Sequence, residues 1–182
     1  MRFSQITVAL PGFNDAYRLP DGHVVYIHKR ALLLLSWMHS AFAPRNILPL
    51  PSPHVLPAFV DNVIPSLLVH FGVLHMGTAQ KDGLREWAGR MAEEKHEKST
   101  EGGNSVVAGP TLTTEEAYLV RAAALDACHK MKVRAHELGE SGERPWLSGV
   151  SEALLDGFLW TQAKRPDLTI VPRMVETKTF MY

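Results

Sequence analysis

The sequence predicts a mainly helical, all-α protein that forms one domain over residues 1–182. Apolar residues recur at helical spacing, and helix-capping residues precede these runs. The chain is 46% hydrophobic and long enough to bury one core. Residues 24–27 alternate too briefly to indicate more than a short extended N-terminal piece.

The first predicted helix follows an irregular lead-in over residues 1–22, where Pro11-Gly12 and Pro20-Asp21-Gly22 are turn signals. The run HKRALLLLSWMHSAFA, residues 28–43, is apolar after its first three residues and predicts a helix buried on most sides. Lys29 lies at the start of this helix, where a cation opposes the helix dipole. A solvated side chain would explain this placement, and so would a phosphate or carboxylate partner.

An acidic residue, Asp61, precedes the most apolar stretch of the chain, LPAFVDNVIPSLLVHFGVL, residues 56–74. A proline-rich extended connection leads to it. Asn62 is the predicted N-cap of the helix, and Gly72 is predicted to end it in a left-handed conformation. The expected buried face consists of Ile64, Leu67, Leu68 and Phe71. Asp61 is therefore interpreted either as a capping residue or as a catalytic carboxylate in a partly dry pocket.

Residues 76–110 are polar and charged and predict a mobile, partly disordered insertion, with a short helix from about residue 84 to 95. A capping box, Thr113-x-x-Glu116, then opens a long helix that continues to Gly139.

The last helix is predicted over about residues 149–164, with Ser148 as its cap. Asp156 and Trp160 share one face of it because they lie four residues apart. Asp156 is either exposed or directed into the same pocket as Asp61, because an unpaired buried carboxylate is costly. The predicted buried side of the helix comprises Leu154, Leu155, Phe158 and Leu159.

Composition argues against several classes of function. Nineteen basic and nineteen acidic residues give a formal net charge of zero, so intact nucleic acid is not an expected partner. The lone Cys128 cannot form an internal disulfide, and the first residues lack a convincing signal-peptide core, so a cytoplasmic location is predicted. No apolar run is long enough to cross a membrane, and no HExxH or CxxC motif indicates a metal.

Three segments resemble the queuosine salvage protein family, the queuosine 5′-phosphate N-glycosylases. FVDNVIPSLLVHFGVL, from Phe59, is similar to the family's signature segment, and KRALLLLSWMHSAF, from Lys29, is similar to its Lys-Arg helix. EALLDGFLWTQAKR, together with the tail Phe180-Met181-Tyr182, resembles the family's LLDxxLW helix and aromatic end. These matches run from about residue 22 to 182 and correspond to the C-terminal half of a typical member.

The resemblance implies a helical fold, compatible with a DNA-glycosylase-like arrangement, and hydrolysis of the N-glycosidic bond of queuosine 5′-phosphate. The released queuine would be reused in tRNA modification. Asp61 is the implied catalytic carboxylate, and no cofactor or metal is expected. The resemblance also implies five substrate-binding residues. Phe59 would stack on the base, with Trp160 as a weaker candidate for that role, and Asp156 would recognise the base. Lys29 would be a phosphate contact or an electrostatic partner, and Asn62 is the remaining substrate-binding residue.

The chain also departs from the family pattern. Asn62 stands where many relatives have Tyr followed by Arg, Ser66 where they have Gln, and Leu32 where a Gln follows the Lys-Arg pair. Leu119 replaces a Glu before Arg121, so any ion pair built on that Glu is expected to be absent. A truncated, inactive member acting as a binding or scaffold module is therefore the alternative to an enzyme.

Overall fold

The structure is a computed structural model that describes residues 7, 9–47, 49–76, 83–87, 89 and 109–177. The predicted mainly helical class is confirmed. Residues 83–87 and 89 are helical, whereas residues 77–82, 88 and 90–108 of the predicted insertion lie outside the described residues, as does the aromatic tail. The α-helices are α1 (Lys29–Phe42), α2 (Val63–His70), α3 (Thr114–Glu140), α4 (Glu152–Gln162) and α5 (Pro166–Thr169).

Two small pairs of strands accompany the helices. Strand β1 (Ala16–Arg18) pairs antiparallel with β2 (Val24–Tyr26), and Ala16 lies opposite Tyr26. Strand β3 (Thr111–Leu112) pairs parallel with β4 (Val175–Glu176). The prediction that residues 1–22 are irregular was wrong for β1, because the extended piece at β2 pairs with it across a turn that ends at Gly22.

Helix α1 is buried on one side only, so the prediction of burial on most sides was wrong. Its buried residues are Ala31, Leu32 and Leu35, whereas Trp37 is 64% exposed. The helix packs through a single face against the segments at residues 11–13 and 53–55. An apolar run predicts a helix, but the number of packing partners decides how much of the run is buried.

Helix α2 forms the centre of the core, with Ile64, Leu67 and Leu68 at most 1% exposed. The predicted end of this helix is confirmed by Gly72, which has a φ of +73°. Phe71 was wrongly predicted to be buried, because it lies at the C-cap, where the chain turns outward. Asn62 occupies the N-cap position, but its side chain makes no capping hydrogen bond.

Helix α3 begins with the predicted capping box, in which Thr113 accepts from the Glu116 amide and the Glu116 carboxylate accepts from the Thr113 amide. The helix packs against α2 and α4 and ends one residue beyond the predicted Gly139. Cys128 is fully buried on it. Burial, followed by the negative charges of Asp156 and Glu152, raises the pKa of this thiol to about 12 and so disfavours the thiolate.

Helix α4 begins later than predicted. Residues 145–149 form a 3₁₀ turn, and Ser151, not Ser148, caps the helix by accepting from the Leu154 amide. Leu154 and Phe158 are 52% and 59% exposed, contrary to prediction, whereas Asp156 is buried at 8% exposure. Helical spacing predicts which residues share a face, but the neighbouring elements decide which face is covered.

No helix among the described residues has both the length and the apolar character required to span a bilayer.

Candidate active site

A cavity of about 290 Å³ opens between α1, α4 and the segment that leads into α2. Two carboxylates, one lysine and three aromatic rings line it, which is the mixture of a few polar groups and apolar walls expected of a small-molecule site. The lining residues are Lys29, Leu33, Trp37, Phe59, Asp61, Ala153, Asp156, Gly157 and Trp160.

Helix geometry brings these residues together. Lys29, Leu33 and Trp37 follow one another at four-residue spacing and form one stripe of α1. A second stripe on α4 includes Asp156 and Trp160. The sequence analysis did not identify four of the lining residues, although their spacing of three, four or eight residues from predicted site residues was a usable signal; they are Leu33, Trp37, Ala153 and Gly157.

Asp61 makes two different contacts at the edge of this cavity. Its Oδ1 accepts a hydrogen bond from the Val63 amide at 2.7 Å, so Asp61, and not Asn62, caps the start of α2. Its Oδ2 lies 3.2 Å from Nζ of Lys29. Both side chains are largely buried, with exposures of 8% for Asp61 and 18% for Lys29. The two interpretations of Asp61 are therefore compatible, because the capping carboxylate also faces the cavity.

The position of Lys29 at the start of α1 is explained by the same contact. The sequence left three explanations for this position, a solvated side chain, a phosphate partner and a carboxylate partner, and in the structure Lys29 contacts a carboxylate. The charge of Asp61 offsets the unfavourable placement of a cation at a helix N-terminus. This ion pair joins α1 to the first turn of α2.

Asp156 is the second carboxylate of the cavity. Its Oδ1 accepts a hydrogen bond from the Phe59 amide at 3.1 Å, which ties α4 to the segment carrying Asp61. Burial raises the pKa of Asp156 to about 6, and the negative charge of Asp61 adds to this increase. The Phe59 amide and the charge of Lys29 act in the opposite direction. Asp156 therefore changes its charge close to physiological pH.

The aromatic rings differ in how firmly they are held. Phe59 is only 8% exposed and packs with Leu32, Leu35 and Leu56 in a small apolar cluster. Trp160 is 44% exposed, and Nζ of Lys164 lies 3.4 Å from its ring centroid, so one face of that ring is covered by a cation. This arrangement favours Phe59 over Trp160 as a rigid wall of the cavity.

Asn62 does not line the cavity with the other predicted residues. Its side-chain amide donates to the Met174 carbonyl at 3.2 Å. Ser66 makes a related bridge, because its hydroxyl donates to the Asn62 carbonyl and accepts from the Met174 amide. Both residues therefore hold the segment before β4, and the structure gives no support to Asn62 as a substrate contact.

A metal site of the usual kind is not found in the described part of the chain, where no three His, Cys, Asp or Glu side chains cluster. The chemistry of the cavity is that of two carboxylates, an ammonium group and flat apolar walls.

Comparison with known proteins agrees with the motifs found in the sequence. A family model described as queuosine salvage protein matches residues 3–182 and so takes in residues before the first motif as well as the three motifs themselves. A search of curated proteins finds no match. The matched region includes every residue that lines the cavity. This chain belongs to the queuosine salvage protein family.

Proposed function

We propose that this protein hydrolyses the N-glycosidic bond of queuosine 5′-phosphate and releases queuine. The observation that carries the proposal is the cavity that holds Asp61, paired with Lys29, together with Asp156 and Phe59. Membership of the family supports a queuosine-related small molecule as substrate. The reaction, the exact substrate and the role of each residue are the proposal.

In the proposed reaction the bond between ribose C1′ and the base nitrogen breaks, and both electrons leave with the base. Positive charge then develops on the sugar, as in other glycoside cleavages. The carboxylate of Asp61 stabilises that charge and attacks C1′ or orients the attacking water. Water supplies the hydroxyl group to C1′ and the proton to the base nitrogen, so the products are queuine and ribose 5-phosphate.

Lys29 acts in this scheme as the electrostatic partner of Asp61. At 3.2 Å the ammonium group restrains Oδ2 of the Asp61 carboxylate. The largely buried setting strengthens the interaction relative to that of an exposed pair. The role as a phosphate contact is the less favoured of the two sequence-based alternatives, because the ammonium group already has a partner.

Asp156 reads the base in the proposal. Its Oδ1 is occupied by the Phe59 amide, and among the described residues no hydrogen bond reaches its Oδ2. An ionised carboxylate accepts hydrogen bonds, and queuine carries donors that it can recognise. The ring of Phe59, held beside it by the shared hydrogen bond, stacks on the flat base, a contact of about 1–3 kcal/mol.

The direct test is release of queuine from queuosine 5′-phosphate by the purified protein, followed by chromatography. Asp61→Asn should lower kcat by about a hundredfold or more, in line with loss of a group that stabilises developing charge. Asp126→Asn is the matched control, because Asp126 is an exposed aspartate paired with Lys130 on α3. Its kinetics should equal those of the unaltered protein.

Calorimetric titration of the protein with queuine, compared with the release assay, separates the enzyme from the binding-module alternative. A protein that binds queuine and also releases it from queuosine 5′-phosphate supports the proposal. A protein that binds queuine but releases none from queuosine 5′-phosphate would be a noncatalytic member of the family. Unchanged turnover in Asp61→Asn would refute the role given to that carboxylate.

A further inference from the structure

A buried ion pair that does not line the cavity takes no direct part in the proposed reaction. Arg121 of α3 and Asp15 are both 0% exposed. The guanidinium group binds both carboxylate oxygens, with Nη1 donating to Oδ1 at 3.0 Å and Nη2 donating to Oδ2. The partner of Arg121 therefore comes from a distant part of the chain and not from position 119, where Leu119 replaces the family's Glu.

Tyr118 completes this cluster. Its hydroxyl donates to Oδ1 of Asp15 at 2.7 Å. Burial, together with this hydrogen bond, raises the pKa of Tyr118, so the hydroxyl stays protonated and remains a donor. The ring of Tyr17 stacks on that of Tyr118, with centroids 5.3 Å apart. The Asp15 carboxylate thus has donors from two residues of α3.

One side of the cluster reaches the backbone beside Asp61. Nε and Nη2 of Arg121 donate to the Val60 carbonyl at 3.3 and 3.2 Å. Val60 is 0% exposed and directly precedes Asp61. Because the guanidinium is planar and held by Asp15, it fixes the peptide from which the Asp61 side chain projects.

The other side of the cluster reaches the backbone beside Lys29. The main-chain carbonyl of Asp15 accepts from the amides of Ile27 and His28 at 3.0 and 3.1 Å. His28 has a φ of +51°, in the left-handed region, and directly precedes Lys29 as the N-cap of α1. A residue held in that region needs support from its surroundings, and the Asp15 carbonyl supplies it.

We propose that Asp15 and Arg121 are positioning residues that set the geometry of the Lys29–Asp61 pair through the backbone beside each of its members. Asp15 holds the backbone before Lys29 directly and holds the backbone before Asp61 through Arg121. The inference rests on the proposed function only in taking that pair as the reactive one. Small displacements of reacting groups reduce rates strongly, so a rigid support for the pair has a kinetic consequence.

The variant Tyr118→Phe loosens this support with the least disturbance of the core, because it removes one hydrogen bond to Asp15 and keeps the ring. We expect kcat for queuine release to fall by about three- to tenfold while KM changes by less than about twofold. The matched control is Tyr17→Phe. Tyr17 belongs to the same ring stack, and its hydroxyl donates no hydrogen bond to Asp15 in the described structure. Its kcat should be unchanged.

A second readout does not depend on turnover. Asp156 senses the charges of Asp61 and Lys29. Moving that pair should therefore shift the titration midpoint of the Asp156 carboxyl, followed by ¹³C NMR, by about 0.3 pH units or more. We expect this shift in Tyr118→Phe and a larger one in Arg121→Lys, with none in Tyr17→Phe.

The two proposals fail in different ways. If the unaltered protein releases no queuine, the proposed function fails and the NMR titration alone decides the positioning role. The positioning role is refuted if Tyr118→Phe has an unchanged midpoint and kcat. It is also refuted if both tyrosine variants lose activity equally and in proportion to their melting temperatures, because that pattern would indicate general destabilisation.

Discussion

Replacing Asp156 by asparagine is expected to stabilise the protein at neutral pH but not in acid. The pKa of Asp156 is about 6 in the folded protein, whereas the ordinary pKa of an aspartate carboxyl, which applies to the unfolded chain, is 3.8. Asparagine keeps an oxygen that accepts from the Phe59 amide and removes the buried charge. The variant therefore isolates the effect of ionising this carboxyl.

The expected size follows from the difference between these two pKa values, which corresponds to about 3 kcal/mol. A raised carboxyl pKa means that the folded state binds the proton more tightly than the unfolded state does. Ionisation therefore destabilises the fold fully above about pH 6, partly between 3.8 and 6, and not below 3.8. Asp156→Asn should be more stable by up to about 3 kcal/mol above pH 6 and nearly equal in stability below pH 3.8.

Urea denaturation between about pH 4 and pH 8 measures this difference directly, with linear extrapolation at each pH. The matched control is Asp126→Asn on the exposed side of α3, where the change should stay within about 0.5 kcal/mol at every pH. An offset that is constant across the pH range would contradict the account, because only ionisation makes it depend on pH. A destabilised variant at about pH 8 would show that the charge of Asp156 is needed by the fold.

Three further outcomes are expected. Gly157→Ala should stabilise α4 by about 0.5–1 kcal/mol in thermal unfolding, since a Cβ there meets no atom within 4 Å. The same variant should raise KM because the methyl group enters the cavity, and an unchanged KM would place the substrate elsewhere. In steady-state assays kcat/KM should rise with pH through about 6 as Asp156 ionises, and a flat profile would exclude it from base recognition. Asp15→Ala should destabilise the protein to urea by about 3–5 kcal/mol, since it removes the carboxylate that binds the buried guanidinium of Arg121 through both oxygens, and a loss below about 1 kcal/mol would contradict this.

Local signals in the sequence predicted where helices begin and end more reliably than they predicted which residues are buried. The capping box at Thr113 and the left-handed Gly72 depend on contacts within one turn, so neighbouring residue types are sufficient to predict them. The predicted cap of α4 was Ser148 and the observed cap is Ser151. Both serines suit the role, but Ser148 lies within the 3₁₀ turn that precedes the helix. Exposure of Phe158 could not be predicted, because it depends on which elements cover the helix.

The sequence by itself determined the helical class, the family and the residue types of the candidate site, because spacing and motif are written along the chain. Only the tertiary structure decided that Lys29 pairs with Asp61, that Asp156 is buried against the Phe59 amide 97 residues away, and that Arg121 finds Asp15 at a separation of 106 residues. These contacts lie far beyond one helical turn. They form because a buried charge or amide requires a partner, and the packing of the helices determines which partner is within reach.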